Sequence, residues 1–471
     1  MKNYLFPLLF TAFIAISSCT NKTGKSPADD KSLKNPVIPG YYADPTMVIH
    51  EGKYYIFVTI DPWGGSELAL WESENFKDWT FHRLNWPTKE QCTTPTSTRN
   101  LVWAPCVIKA LNGKYYMYVS VGSEVYVGVA DHPVGPWKNA LGGDKPLIYN
   151  KGESEAIHNI DAECFIDDDG QAYLYWGSGW NWMNGRCHAV KLNPDMVTLE
   201  SEPVDITPAH YFEAPFMLKY GGKYFLMYSE GKCINHTYMV HYSTADSPLG
   251  RWEPGYNSPV LSSNEDTSIS GPGHHAVYKH ENQYYILYHR IFKPQLKLRS
   301  LYRQICIDSL NFNEEGKMLT VNPSQTGVAD FLNKQKTVNM AVNKSVKASS
   351  ELNENYPAEG AVDDNYGSLW VAGENDSIAS LTLDLGEIME IAACRIYFEY
   401  AIKPYTYKID YSTDGENWEL YADKSDNMEI ASPYIDTNTV NAEFIKVTVM
   451  KKDENAPRPG IWELMVVPAG E

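Results

Sequence analysis

Asp44, Asp161 and Glu213 stand at matching places in three of five similar stretches of this chain, and carboxyl groups gathered in that way can cleave a glycosidic bond. Such cleavage takes two of them, one on each side of the bond. One gives a proton to the departing oxygen and the other activates water or attacks carbon. A third carboxylate beside the acid raises its pKa by like charge and keeps it protonated. Taken singly, each residue has a plainer reading: Asp44 before Pro45 as a turn residue, Asp161 as a cap at a strand start, Glu213 as a surface charge. Their common phase is what argues for a shared role.

That phase comes from a repeat. Gly-Lys-Tyr-Tyr or a variant of it begins at Gly52, Gly113, Gly170, Gly222 and Asn282, at intervals of 52–61 residues. Such intervals exceed a hairpin and suit a four-stranded sheet with its loops, so the five copies predict five propeller blades. Eight or nine residues before the copies stand Asp44, Ala104, Asp161, Glu213 and His274. The innermost strands of a propeller line its axis, so these positions are expected to converge on one acidic pocket. Short apolar runs alternate with Gly, Pro, Asn and Asp clusters over 35–327, the pattern of a many-stranded domain. The fold expected is all-β: a five-bladed propeller over 35–330, then a β-sandwich or jelly roll over 338–471. Period-two alternation at 381–385 and 408–412, with Asp414-Gly415 as a turn, supports the second unit.

The chain has 471 residues, more than one core usually serves. A net charge of −19 leaves no basic footprint for nucleic acid and favours an uncharged ligand such as an oligo- or polysaccharide. Lys2, the apolar run 4–16 and the small residues Ser17 and Ser18 read as a secretory signal over 1–18. Residues 19–34 read as a flexible tether. No later stretch approaches the ~18 apolar residues of a membrane helix. Setting Cys19 aside, seven Cys remain, an odd number without a CxxC pair, which favours neither a disulfide framework nor a zinc site. No protein partner is evident.

The motifs Tyr-Tyr-Ala-Asp-Pro (41–45), Val-Trp-Ala-Pro (102–105), Ile-Asp-Ala-Glu-Cys-Phe-Ile-Asp-Asp-Asp-Gly (160–170), Phe-Glu-Ala-Pro-Phe (212–216) and Gly-Pro-Gly-His (271–274) resemble glycoside hydrolase family 43. The resemblance implies an inverting mechanism with Asp44 as general base, Glu213 as general acid and Asp161 tuning and orienting the acid. Inversion calls for base and acid carboxyls about 6.5–9.5 Å apart. The resemblance also places His274 at the floor of the site, holding a hydrated calcium or other cation; a hydrogen-bonded core His is the other reading. His275 is expected to point the opposite way. Arg290 is expected to contact substrate or Glu213, with a surface Arg as the alternative. Trp103 either stacks on a sugar or packs in the core. The family often has Asp where Cys106 stands, which leaves the surrounding hydrogen bonds and the sugar open. Trp180 and Trp182 read as a rim loop, Asp167, Asp168 and Asp169 as a solvated turn, and Glu163 as a support for Asp161 or a neighbour of the next blade.

Ala-Val-Asp-Asp (361–364), Trp370, Leu-Asp-Leu-Gly (383–386) and Tyr-Ser-Thr-Asp-Gly-Glu-Asn-Trp (411–418) resemble the discoidin or coagulation-factor type C domain, which overlaps carbohydrate-binding module family 32. Asp363, Ser368 and Glu463 match places where that fold holds a structural calcium, and hard oxygen ligands suit the ion; solvated loop polars are the alternative. Trp370 and Trp418 read as core. The chemistry itself is expected to need no cofactor. The start of the chain is similar to a bacterial lipoprotein signal, with Cys19 lipidated and the protein held in the envelope, on the periplasmic or the outer face. Together these imply an exo-acting α-L-arabinofuranosidase, with β-xylosidase or β-galactofuranosidase activity on the same plan as alternatives. A retaining fructan hydrolase usually carries Asn-Asp-Pro-Asn and Arg-Asp-Pro, whereas this chain has Ala-Asp-Pro-Thr and Ile-Asp-Ala-Glu. A non-catalytic glycan-binding lipoprotein is the remaining reading.

Overall fold

Turn residues followed by a run of aromatic and β-branched side chains favour a strand. Each repeat copy forms the second strand of a blade in the computed structural model, which describes residues 32–97, 101–150, 157–293 and 301–470. The expected signal at 1–18, Cys19 and most of the tether lie outside the described residues. The second strands are Lys53–Ile60, Tyr115–Val121, Ala172–Trp176, Lys223–Glu230 and Gln283–Ile291. They pair antiparallel with the first strands Tyr42–His50, Val102–Lys109, Glu163–Ile166, Glu213–Tyr220 and Gly273–His280. Four sheets have four strands; the fifth has three, ending with Arg303–Leu310. The N-terminal end completes it. Val37 N–H donates to Ile305 O at 2.8 Å, and Ile307 N–H to Asn35 Oδ1 at 2.7 Å. The first strands touch in succession, the fifth meeting the first, so the five blades close into a propeller.

Every blade carries a bulge at the start of its first strand. Ala43 pairs with Thr59 but Thr46 with Phe57, one residue too many, and the same shift follows Trp103, Glu213 and Gly273. In the third blade Gly177 N–H donates to Ile160 O at 2.8 Å while Glu163 pairs with Tyr175, giving the same offset. The next residue in each blade is left-handed: Asp44, Ala104, Asp161, Ala214 and His274 have φ of 54°, 40°, 59°, 57° and 40°. Glu213 is therefore one place ahead of the position expected from the repeat, which Ala214 fills. The extra residue breaks the in–out alternation, so both bulge positions feed the axis.

The bulges also tie blade to blade. Ala104 N–H donates to Thr59 Oγ1 at 2.8 Å, Asp161 N–H to Ser120 Oγ at 2.9 Å, and His274 N–H to Ser229 Oγ at 3.0 Å. Asp44 N–H reaches His289 Nδ1 at 3.3 Å. Each acceptor lies on the second strand of the preceding blade. In the remaining gap that place is Gly177, whose φ of +123° and close approach to Arg186 O (2.3 Å from a Cβ built there) leave no room for a side chain. There the Asp161 carboxylate accepts the Ala214 N–H instead.

The C-terminal strands form a seven-stranded sheet folded into a β-sandwich around Leu381, Leu383, Ile445 and Val447. Ile378–Phe398 and Tyr434–Met450 are long enough to serve both layers, and each changes partner register near Asp384–Met389. Trp370 is buried, and Trp418 is half-buried beneath Lys446 Nζ at 4.6 Å. Propeller and sandwich share one apolar cluster, in which Tyr41, Phe292 and Tyr302 meet Tyr397 and Trp462. The Tyr41 ring lies 5.1 Å from that of Trp462, and its hydroxyl donates to Glu399 Oε1 at 3.2 Å. Ser32–Glu471 is accordingly one compact unit.

A shared core predicts shared unfolding. Trp462→Ala should cost about 3–5 kcal/mol and lower a single calorimetric transition; two transitions, with only one of them shifted, would show the parts to be independent.

Candidate active site

The bulges deliver Asp44, Asp161 and Glu213 into one cavity of about 350 Å³. Asp44 and Asp161 are each 6 % exposed. Asp44 Oδ1 lies 3.3 Å from Arg303 Nη1, 3.2 Å from His274 Nδ1 and 3.3 Å from His289 Nδ1. The remaining guanidinium nitrogens fork onto buried Asp61, with Nε at 2.9 Å and Nη2 at 2.8 Å. His289 stacks on Tyr238 at 5.5 Å. On the other side, Tyr238 donates its hydroxyl to Glu213 Oε1 at 2.8 Å and Ser178 donates to Oε2 at 3.0 Å.

These surroundings drive the carboxyls apart in proton affinity. Burial disfavours charge on Asp44, but His274 and Arg303 outweigh it and hold the group well below the usual carboxylate range. Burial pushes both imidazoles down, His289 to about 3. Arg303 is thus the permanent cation beside Asp44. Burial raises Asp161, helped by the charges of Glu213 and Asp44. Burial also pushes Glu213 up to about 7, although its two hydroxyl donors pull the other way. One carboxylate is kept charged while a neighbouring pair keeps a proton. That is the equipment for acid–base cleavage.

Four indoles, Trp63, Trp103, Trp180 and Trp182, line the cavity with His158. Trp103 Nε1 donates to Trp63 O at 2.7 Å, which fixes its ring in the wall. Trp180 stacks on His158 with centroids 4.0 Å apart, and His158 Nε2 lies 2.7 Å from Ser123 Oγ. Flat apolar faces of this kind suit the C–H faces of sugars.

Arg290 does not enter this cavity. His289 faces Asp44, so its neighbour on the strand faces away, and Arg290 meets Gln325 instead. The guanidinium in the cavity belongs to Arg303, opposite Ile291 on the adjacent strand. Its signal was present in the sequence, because an Arg leading into Ile-Cys-Ile needs a buried partner. Tyr238 and Ser178 carried no such signal. Glu163 lines a separate cavity with Thr46 and Phe216 and is pushed up to about 8 by burial. Asp167 is no solvated residue: it receives Lys219 Nζ and the Tyr224 hydroxyl, both at 2.5 Å, tying the third blade to the fourth. Asp168 and Asp169 are exposed, as a turn requires. His275 is buried with neither ring nitrogen hydrogen-bonded.

Several of the donors expected to hold cations make bonds within the protein. His274 Nδ1 is directed at Asp44, with Asp161 Oδ2 at 3.8 Å. Asp363 accepts the Ser368 hydroxyl at 2.6 Å and the Asn365 N–H at 3.1 Å. Glu463 accepts from Asn339 Nδ2 at 2.9 Å and from the Asp364 N–H at 3.1 Å, while Lys336 pairs with Asp364. No group of three or more His, Cys, Asp or Glu is arranged around a metal position among the described residues.

Propeller and cavity together define a glycosidase. The sequence pattern of Glycosyl hydrolases family 43 matches residues 33–318, and that of the F5/8 type C domain matches 345–464. The chain belongs to glycosyl hydrolase family 43. It is 37% identical over 313 residues to a beta-D-galactofuranosidase of Aspergillus niger, covering 62% of this chain and 86% of that protein. It is 27% identical over 375 residues to an arabinoxylan arabinofuranohydrolase of Paenibacillus polymyxa, covering 70% and 57%. A xylosidase/arabinosidase of Bacteroides ovatus is 26% identical over 346 residues, covering 62% and 98%. A solved glycoside hydrolase superposes over 92% of this chain and 99% of its own, with TM-score 0.77 and 30% identity.

Arg303→Met would strand Asp61 and Asp44 as buried charges. The expected loss is about 3–5 kcal/mol by urea denaturation, and Arg303→Lys should recover only part of it because the fork is lost. A variant as stable as the parent would show that the two aspartates are not held by this guanidinium.

Proposed function

We propose that the protein is an inverting, exo-acting furanosidase that removes terminal α-L-arabinofuranosyl units from polysaccharide side chains. The observation that carries the reading is the opposite proton state of carboxyls facing one cavity. In this reading Glu213 donates its proton to the glycosidic oxygen as the C1–O bond breaks. Asp44 takes a proton from water, whose oxygen attacks C1 from the opposite face. Asp161 sits beside the acid as a second raised carboxyl and accepts the Ala214 N–H. A cavity of about 350 Å³ suits one furanose ring and its attacking water. Terminal β-D-galactofuranoside is the second reading, favoured by the Aspergillus niger relative. That sugar has the same ring stereochemistry with one further carbon arm.

The sign of the pH dependence follows from the acid. Glu213 works while protonated, so kcat/KM should fall as pH rises through about 7. Asp44 stays ionised far below that, so it sets no acid limb in the working range. Glu213→Gln should cost at least about 10²-fold on substrates with poor leaving groups and flatten the basic limb. Near-parental rates on such substrates would remove Glu213 as the acid. Proton NMR of the first-formed anomer tests inversion. The kcat/KM ratio for para-nitrophenyl α-L-arabinofuranoside against the β-D-galactofuranoside decides between the two sugars.

We also propose export and lipid anchoring through Cys19. The support is the Lys2 charge, the apolar run 4–16 and the small residues before the Cys. Cys19→Ala should move the protein from the membrane to the soluble fraction, and an unchanged distribution would remove the anchor.

A further inference from the structure

A second cavity, of about 200 Å³, opens where the propeller meets the sandwich. Its lining is polar: Ser268, Arg290, Lys293, Gln304 and Gln325 come from one side and Asn365 from the other. No Asp or Glu is among its described lining residues. Arg290 is 7 % exposed, yet no carboxylate among the described residues reaches ion-pair distance of it. Its hydrogen bond goes to the neutral Oε1 of Gln325. Asp308 feels its charge, but its oxygens are already taken. They accept from Tyr288 Oη and Ser324 Oγ at 2.7 Å, Ser324 N at 3.1 Å and Asn35 Nδ2 at 3.4 Å.

A buried guanidinium with no carboxylate at ion-pair distance is costly. This one faces a hollow, beside a second cation, in a chain of net charge −19. An anion supplied from outside would balance it. Carboxylate is the group that Arg grips with two parallel bonds. The neutral amides around it, including Gln325 Nε2 and Asn365 Nδ2, which have no acceptor among the described residues, match sugar hydroxyls. A bare inorganic ion would have no use for them. We propose that this cavity binds a hexuronate, with its carboxylate on Arg290 and its hydroxyls on the amides. The site is separate from the carboxylate cavity, because Arg290 and His289 face opposite sides of one strand.

Isothermal titration of the full-length protein with sodium glucuronate, galacturonate, sulfate and glucose, at constant ionic strength, tests this. Saturable binding is expected for a uronate, weaker binding for sulfate and none for glucose. Arg290→Met should weaken the uronate by about 10–100-fold while aryl furanoside hydrolysis stays unchanged. Parental affinity in that variant would overturn the proposal. Should the variant not fold, crystals of the wild type soaked in the uronate decide: density on Arg290 supports the site, and density elsewhere or none overturns it. Sulfate binding without uronate binding would overturn the sugar assignment.

Discussion

The left-handed bulge residue at the head of each blade is the constraint on which the rest depends. A non-glycine residue in that region costs about 1–3 kcal/mol, and this chain places one in all five blades. The conformation persists because each freed N–H finds an acceptor on the preceding blade. The bulges therefore fasten the ring and shape the cavity at once. Without the extra residue, strict alternation would send one of two adjacent side chains outward. With it, Trp103, Ile160 and Glu213 at the first bulge position face the same hollow as Asp44, Asp161 and His274 at the second.

Placing three carboxyls in one cavity does not by itself give them different roles. The division comes from Arg303, whose three nitrogens are committed to Asp61 and Asp44. Asp161 is left with burial and the charges of Glu213 and Asp44, and Glu213 with burial and the charge of Asp44, all of which favour the protonated form. Tyr238 and Ser178 then keep Glu213 from becoming too weak an acid to give up its proton. The same Tyr238 ring stacks on His289, which bonds the Asp44 N–H, so the two ends of the site meet through one aromatic contact.

Much of this was legible because a repeat exposes equivalences that a single strand hides. The five-fold count, the all-β class and the gathering of Asp44, Asp161 and Glu213 all followed from it. What it could not give was position to one residue. Glu213 stands nine residues before its repeat copy, as Ala104 and Asp161 do, but belongs to the place before theirs, which only alignment on Pro45, Pro105 and Pro215 reveals. Arg290 was attractive as the charge ending the aromatic run, yet strand alternation hands the inward position to His289. Arg303 lay in the closing strand, where only the need to pair a buried charge points to it. Asp167 shows the converse: its turn was readable from Gly170, whereas its partners Lys219 and Tyr224 lie a full blade away in sequence.

The sandwich takes part in this geometry too. Tyr41 hands its carbonyl to the Asp61 N–H at 3.0 Å, and Asp61 is the anchor of Arg303. Its hydroxyl reaches Glu399, which Arg458 grips at 2.8 and 2.5 Å from the far side. Tyr302 packs edge-on against Tyr41 at 4.7 Å, and Gln304 bonds Tyr366 O at 2.8 Å. Both neighbours of Arg303 in the chain are thus held by residues of the interface. A rigid core transmits small displacements instead of absorbing them, so a shift of the sandwich would be felt at Arg303. The position of the charged carboxylate is fixed from two domains, so the second domain is part of the scaffold of the site.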